Sequence, residues 1–388
     1  MIHTDPKKIE ELLNKGVEKV IVKEDLEKKL LSGSRLRIYF GVDPTGSLLH
    51  LGHAVALWKL RAFQELGHEV ILLIGDFTAK IGDPSGRDTT RVPLTDKQIK
   101  ENFKDYKKQA SKILDFSKVK IKYNSTWLSK LTFADVLKLS SHFTVQQMLH
   151  REMFDKRIKE NIPISETEFM YPLMQGYDSV AMNVDVEIGG NDQMFNMLTG
   201  RRLQKMYNHK DKDILTTKLL LGTDGRKMSK TYDNAIYLTD GPNDMFGKIM
   251  SINDELIGEY VQLCTNLSFE EIKKLSNPKD QKAALAKEIV KMYHGEKAAQ
   301  KSEEEFDKIF RKKELPSDME IFNLPLPKDI VYVLVTTKIT SSKSEAWRLV
   351  NQKAVKFGGK TIENPKELIV DEGVLQVGKR KFIKVRIK

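Results

Sequence analysis

"IYFGVDPTGSLLHLGH", residues 38–53, decides the fold. The apolar run from Arg37 to Val42 reads as a strand that breaks at Asp43-Pro44-Thr45-Gly46, a turn-forming sequence. The chain resumes with His50, Gly52 and His53 at the first turn of a helix expected from His50 to Leu66. In it Ala54, Leu57, Trp58 and Leu60 recur at helical spacing, and Gly67 stops it. "EVILLIG", Glu69 to Gly75, is a continuous apolar run of the kind that both faces of a parallel sheet cover. Strand, helix and strand together make one right-handed crossover unit.

Outward from that unit, helical patterns dominate to about Met182, and a short strand, "DVEIGG" (185–190), follows. A polar loop, "LGTDGRKMSKTYDN" (221–234), leads to a helical stretch from Gly241 to Phe310. Pro316, Pro325 and Pro327 mark a linker. The last piece pairs a short helix, "SSKSEAWRLVNQ", with strands in "AVKFGGKTI" and "GKRKFIKVRIK". There is no internal repeat and no low-complexity tract.

A chain of 388 residues holds two or three domains. The N-terminus is a charged amphipathic helix pattern without an apolar signal core, and no apolar run suits a bilayer. These features lead to the expectation of a soluble cytoplasmic protein. Cys264 is the single cysteine, which excludes a disulfide framework and a thiolate metal cage. The net charge is +11, and residues 341–388 carry 12 Lys+Arg against 5 Asp+Glu, or +7, leaving +4 for the other 340. A basic end of this kind points to a polyanion, nucleic acid first and an acidic membrane surface second.

Ligands of an open parallel sheet sit at the carboxyl ends of strands, where loops enter helix N-termini. His50 and His53 lie at such an end, and a helix N-terminus suits phosphate. Gly52 leaves room for a flat base or ribose, and Thr45 brings a hydroxyl to the same mouth. Half a zinc site would need further ligands that are absent nearby; a capped helix start with incidental histidines is the plain alternative. The second strand ends in "GDFTAKIGDPSGRDTTR" (75–91), where Thr78 and Asp83 suit an amine and Arg87 and Arg91 suit phosphate oxygens. "YPLMQGYD" (171–178) puts Tyr171, Gln175 and Asp178 on one helix face within roughly 60°. Its apolar flanks imply a partly buried polar face whose groups need partners. Pro172 means that this helix begins or kinks close to Tyr171.

"HLGH" (50–53) with "KMSKT" (227–231) resembles the paired signature of the class I aminoacyl-tRNA synthetases. Tyr39, Thr78, Asp83, Tyr171, Gln175, Asp178 and "GGNDQ" (189–193) together resemble the bacterial-type tyrosyl-tRNA synthetases over nearly the whole chain. "SSKSEAWRLVNQKAVKFGGK" is similar to the S4-like RNA-binding fold, with Ser342 and Glu345 as a capping box that starts its helix. Thr231 stands for Ser and keeps its hydroxyl, and three further positions depart from the family pattern. Asn191 stands for Ser or Thr, Met194 for Trp or Lys, and Phe40 for a smaller residue.

The resemblance implies an α/β protein: a Rossmann-like parallel-sheet catalytic domain (1–222), the lysine loop with a helical domain (223–315), a linker (316–328), and a small α+β S4-like domain (329–388). It implies that tyrosine is activated with ATP to tyrosyl-adenylate and then moved to tRNA(Tyr). By the same resemblance Thr45, His50, His53, Arg87, Arg91, Lys227, Lys230 and Thr231 serve the phosphates and catalysis. Gly41, Asp43, Gly52, Gly190, Asp192, Met228 and Lys230 bind ATP. Tyr39, Thr78, Asp83, Tyr171, Gln175, Asp178 and Gln193 bind tyrosine. Magnesium comes with ATP rather than in a protein cage, no membrane is involved, and the family forms homodimers, for which "FTVQQMLHREMF" (143–154) is the candidate interface, its apolar pattern fitting a core segment equally well. A tryptophan-specific relative is disfavoured because an indole has no hydroxyl for Tyr39 and Asp178. An RNA-binding descendant without ligase activity, or another nucleotidylyltransferase, fits the intact motifs and the basic end less well.

Overall fold

The computed structural model describes residues 2–85, 94–229, 232–312, 314–316, 319–325, 327–378 and 381–388, with only the backbone of Glu152. Two compact units divide the chain, 1–240 with 251–285, and 241–250 with 286–388. The division differs from the expected boundary at 222. The lysine loop and the helix Ile257–Cys264 belong with the sheet, tied by Leu51 N–H donating to the Ile236 carbonyl (2.9 Å) and the Tyr260 hydroxyl to the Leu221 carbonyl (2.8 Å).

The first unit is built on six strands: β1 (Val17–Ile21), β2 (Arg37–Val42), β3 (Glu69–Ile74), β4 (Val119–Tyr123), β5 (Val186–Gly190) and β6 (Asp213–Thr217). Their spatial order is β1-β6-β5-β2-β3-β4, parallel except for β1 on β6. From β2 the chain winds to β3 and β4, then returns to β5 on the other side of β2. The crevice at the carboxyl ends of β2 and β5 is therefore the topological switch point, where sheets of this kind take ligands. The helix Leu51–Glu65 crosses between β2 and β3, and Leu57, Leu60 and Phe63 are fully buried with Ile38, Val70 and Leu72.

The sequence reading of β2, β3, β5 and the first crossover helix stands, but β1, β4 and β6 correct it. "VKIKY" alternates apolar and charged residues, as a sheet edge with a wet face does, and "VEKVI" continues a charged amphipathic helix pattern, so neither stands out inside helix-rich sequence. The helix around Pro172 begins upstream, at Glu166, and runs to Met182. Its start is set by Ser165, whose N–H donates to Glu168 Oε1 (3.1 Å), so Pro172 lies within it and forgoes only one backbone donor.

His68, just before β3, is 4% exposed, and its Nδ1 accepts the Leu36 N–H (3.3 Å). Burial, then the Arg35 charge, lowers its pKa to about 4. An imidazole whose folded pKa lies below its unfolded value costs stability once the unfolded chain binds its proton. The urea midpoint is accordingly expected to fall as pH drops from about 6.5 to about 4. His68→Gln should flatten part of that fall, and an unchanged pH slope in the variant would remove His68 from the account.

In the second unit the helices Pro242–Met250 and Glu296–Phe310 pack through Phe246 and Phe306 (ring centroids 5.4 Å apart), and Ser302 Oγ donates to Asn243 Oδ1 (2.8 Å). The C-terminal part has β7 (Glu320–Leu324), β8 (Lys328–Asp329), β9 (Val355–Phe357), β10 (Lys360–Thr361), β11 (Leu368–Ile369), β12 (Gly373–Val377) and β13 (Lys381–Ile387). Five of them form a sheet in the order β10-β9-β12-β13-β7, over which Ile330, Leu334, Ala346 and Val350 of two helices are fully buried. The stretch expected as a linker, 316–328, thus contains β7, which pairs in parallel with the last strand, β13. The capping box is also half as drawn. Ser342 Oγ accepts from Glu345 N–H (3.2 Å), but the Glu345 carboxylate turns to the N–H and hydroxyl of Ser341 (2.7 Å each).

Candidate active site at the sheet switch point

Asp43, at the end of β2, is the hub of the cleft. Its Oδ1 accepts from Thr78 Oγ1 (2.8 Å) and its Oδ2 from the Tyr171 hydroxyl (2.9 Å), so it ties the ends of β2 and β3 to the helix Glu166–Met182. Gly75 must lack a side chain here, because a Cβ would lie 1.9 Å from Asp43 Oδ1. Asn124, after β4, donates to Thr78 Oγ1 (3.0 Å) and to Asp178 Oδ2 (3.3 Å).

The loop carrying Thr45 into the helix is held from the helix Asp96–Ala110. Gln109 accepts from Leu49 N–H (2.8 Å) and donates to the Ser47 carbonyl (2.5 Å), and Asn102 donates to the Pro44 carbonyl (2.8 Å). Thr45 and Gly41 are exposed. His50 is the N-cap, and its backbone N–H donates to His53 Nδ1 (3.2 Å), which puts the His53 proton on Nε2. The two rings lie 3.7 Å apart. Burial, then His53 and the Lys227 charge, holds the His50 imidazole well below its ordinary pKa, so it is neutral. Gly52 serves a second purpose that the sequence did not reveal: a Cβ there would lie 3.0 Å from His50 Nδ1. The glycine admits the ring beside it.

Lys227 Nζ stands 3.8 Å from Asp192 Oδ2, after Gly190, which brings the lysine loop to the end of β5. Asn234 pins that loop, accepting from Ser229 N–H (2.9 Å) and donating to the Lys227 carbonyl (3.2 Å) and Asp224 Oδ1 (2.7 Å). Met228 is buried beneath it. Lys230, Thr231, Arg87 and Arg91 lie outside the described residues.

The deeper half of the cleft is a buried polar pocket. Tyr39 is 1% exposed among Ile71, Leu73, Met182 and Val184, with Trp127 against them. Asp178 is 2% exposed and accepts from Trp127 Nε1 (2.7 Å) as well as Asn124. Burial pushes its carboxyl well above the ordinary range, against the pull of those two donors. At the other end Gln193 Nε2 donates to Asp83 Oδ2 (2.6 Å), and Asn196 Nδ2 donates to Gln193 Oε1 (3.1 Å) and Gln175 Oε1 (3.0 Å).

Asp43, Thr78, Tyr171 and Asp178 thus lie in one hydrogen-bonded group and Asp83, Gln175 and Gln193 in another, at the strand ends and on the helix Glu166–Met182, with Asp192 and Lys227 at the end of β5. Asn124, Trp127, Asn196, Gln109 and Asn234 escaped the sequence reading. Asn124 and Trp127 follow a strand and obey the same strand-end rule, so recognising β4 would have found them.

The family model for class I tRNA synthetases of the W and Y type matches residues 31–311. The chain is 48% identical to the tyrosine–tRNA ligase of Thermotoga maritima, covering 98% of both chains. It is 46% identical to that of Carboxydothermus hydrogenoformans, covering 97% of both. Among solved structures, tyrosyl-tRNA synthetase from Archaeoglobus fulgidus, complexed with L-tyrosine, superposes with a TM-score of 0.62 at 24% identity, over 77% of this chain and 100% of that one. A truncated Aspergillus nidulans mitochondrial tyrosyl-tRNA synthetase gives 0.65 at 24% identity, over 78% and 94%. These two likenesses concern the fold.

Proposed function

The chain belongs to the tyrosine–tRNA ligases of the class I aminoacyl-tRNA synthetase family, and on that premise we propose how its residues activate L-tyrosine and charge tRNA(Tyr). The carboxylate of tyrosine attacks the α-phosphorus of ATP, and pyrophosphate leaves with the electron pair of the broken P–O bond. A terminal ribose hydroxyl of the tRNA then takes the tyrosyl group and AMP departs. Neither step needs a protein nucleophile, so catalysis rests on positioning and on fixed positive charge.

The observation that carries this reading is one cleft with two characters: Lys227 and the helix N-terminus at His50 beside it, and a buried hydroxyl–carboxylate pair, Tyr39 and Asp178, behind it. Thr45, His50, Lys227, Lys230, Thr231, Arg87 and Arg91 hold the phosphates. His53, with its proton on Nε2, donates to the nucleotide, and Gly41, Asp43, Gly52, Gly190, Asp192 and Met228 line its seat. Magnesium arrives on the phosphates, as is usual for this ion. Asp83, Thr78, Tyr171, Gln175 and Gln193 receive the amine end of tyrosine, and Tyr39 with Asp178 its phenol. ATP–pyrophosphate exchange measured with tyrosine, tryptophan and phenylalanine in parallel should proceed efficiently with tyrosine, only at a slow residual rate with phenylalanine, and not with tryptophan. Exchange driven by tryptophan would overturn the substrate.

The S4-like C-terminal domain binds the tRNA. Lys343, Arg348, Lys353, Lys356 and Lys360 are exposed there beside Trp347, itself 42% exposed, a combination suited to phosphates and an unstacked base. The enzyme works in the cytoplasm, where translation occurs; no helix among the described residues is long and apolar enough to cross a membrane. It acts as a homodimer. Phe133 (78% exposed), Val145 (66%) and Leu137 (54%) present apolar surface that a second copy would cover. Sedimentation should return twice the chain mass of 44.5 kDa, and Phe133→Glu with Val145→Glu should return one.

A further inference from the structure

We infer that the buried Glu187–Lys212 pair, acting through Ser179, is a positioning unit that orients the Tyr39 hydroxyl and so makes the pocket select a 4-hydroxyphenyl side chain over a phenyl one. This rests on the tyrosine reading above. Glu187 lies on β5 in register with Tyr39 on β2, and Lys212 immediately precedes β6. Both are buried, at 2% and 0% exposure. Lys212 Nζ donates to Glu187 Oε2 and to Ser179 Oγ (2.8 Å), and Ser179 Oγ stands 3.0 Å from the Tyr39 hydroxyl.

Proton counting gives this chain a direction. An ammonium only donates, so Ser179 Oγ must accept from Lys212 and has a single proton left to give. Its available acceptors are the Tyr39 oxygen, at 3.0 Å, and Glu187 Oε2, at 3.4 Å. The nearer one is Tyr39. A Tyr39 oxygen that accepts from Ser179 keeps its own proton to give, either back to the Glu187 carboxylate, with which this hydroxyl also interacts, or into the pocket toward a substrate oxygen. Phenylalanine would offer that proton no acceptor on the pocket side, leaving only a carboxylate that Lys212 already holds, whereas a phenol adds a hydrogen bond.

Stability does not explain the pair. A buried ion pair gains little over apolar residues of the same volume, because desolvation offsets the attraction. The surroundings are nevertheless shaped to admit it. A Cβ on Gly200 would lie 2.6 Å from Lys212 Nζ and 2.9 Å from Ser179 Oγ, so the helix Met194–Asn208 is hollowed at that point. The same carboxylate also reaches the amine end, since Gln175 Nε2 donates to Glu187 Oε1 (3.1 Å). One buried charge pair therefore anchors both ends of the substrate seat.

The test uses the full chain with Ser179→Ala, which removes the relay oxygen and keeps the charge pair. In ATP–pyrophosphate exchange, kcat/KM for tyrosine should fall about tenfold, mainly through KM, while that for phenylalanine changes less than about twofold. The thermal midpoint should stay close to wild type. The double variant Glu187→Gln with Lys212→Met, neutral and similar in volume, should lose selectivity to a similar degree; should it not fold, Ser179→Ala decides alone. Equal losses for both substrates would reduce the unit to a structural role and overturn the inference. So would undiminished selectivity in Ser179→Ala. Wild-type protein that fails to activate tyrosine would instead sink the substrate reading itself.

Discussion

Asp178→Asn is expected to lower kcat/KM for tyrosine in ATP–pyrophosphate exchange about 100-fold while the protein stays folded. A buried donor or acceptor left unpaired costs about 1–3 kcal/mol, and about 1.4 kcal/mol is one decade. Asp178 sits in an almost dry pocket where Trp127 and Asn124 both donate to it. The asparagine has the same shape but one acceptor oxygen fewer, so its amide N–H₂ meets either a neighbouring donor or the substrate phenol. Either conflict weakens the seat of the phenol without opening a cavity. Far-ultraviolet circular dichroism and the thermal midpoint, both near wild type, would separate lost recognition from lost structure. Exchange at the wild-type rate would take Asp178 out of the tyrosine site.

The second large effect concerns tRNA. A chain ending at Glu314 should carry out tyrosine-dependent exchange within about twofold of the full protein, yet aminoacylate tRNA on the order of 100-fold less efficiently near physiological salt. The cut belongs there and not at the prolines further on. β7 (320–324) pairs with β13, so a chain stopping after it would expose an orphan strand edge. The removed segment contains the stretch of net charge +7, so its loss should also flatten the salt dependence of tRNA affinity. Filter binding at three salt concentrations measures that slope. Undiminished charging by the shortened chain would leave the C-terminal sheet a structural part only.

Much of the site was legible because its signals are local. The glycine and proline of the turn at 43–46, the cap position of His50 and the period of the helix behind it relate residues within a few positions of one another. The strand-end rule then turned those elements into a cleft, and the motif pair supplied its chemistry. β1, β4 and β6 were less legible, since their five residues lack the paired glycines that end β5 and do not outweigh helix-compatible flanks. With β4 went Asn124 and Trp127, the two donors that hold Asp178.

What the sequence by itself determined is the β2–helix–β3 crossover, the identity of its strand-end residues and the basic C-terminal end, all properties of neighbouring residues. The partnerships were decided by tertiary structure alone. Tyr39 and Ser179 are 140 residues apart in the chain and 3.0 Å apart in space, and Lys212 reaches both Glu187 and Ser179 only because β6 lies beside β5. A buried lysine looks like any surface lysine until the sheet order places a carboxylate opposite it, because burial and pairing belong to the packed chain and not to any window of it.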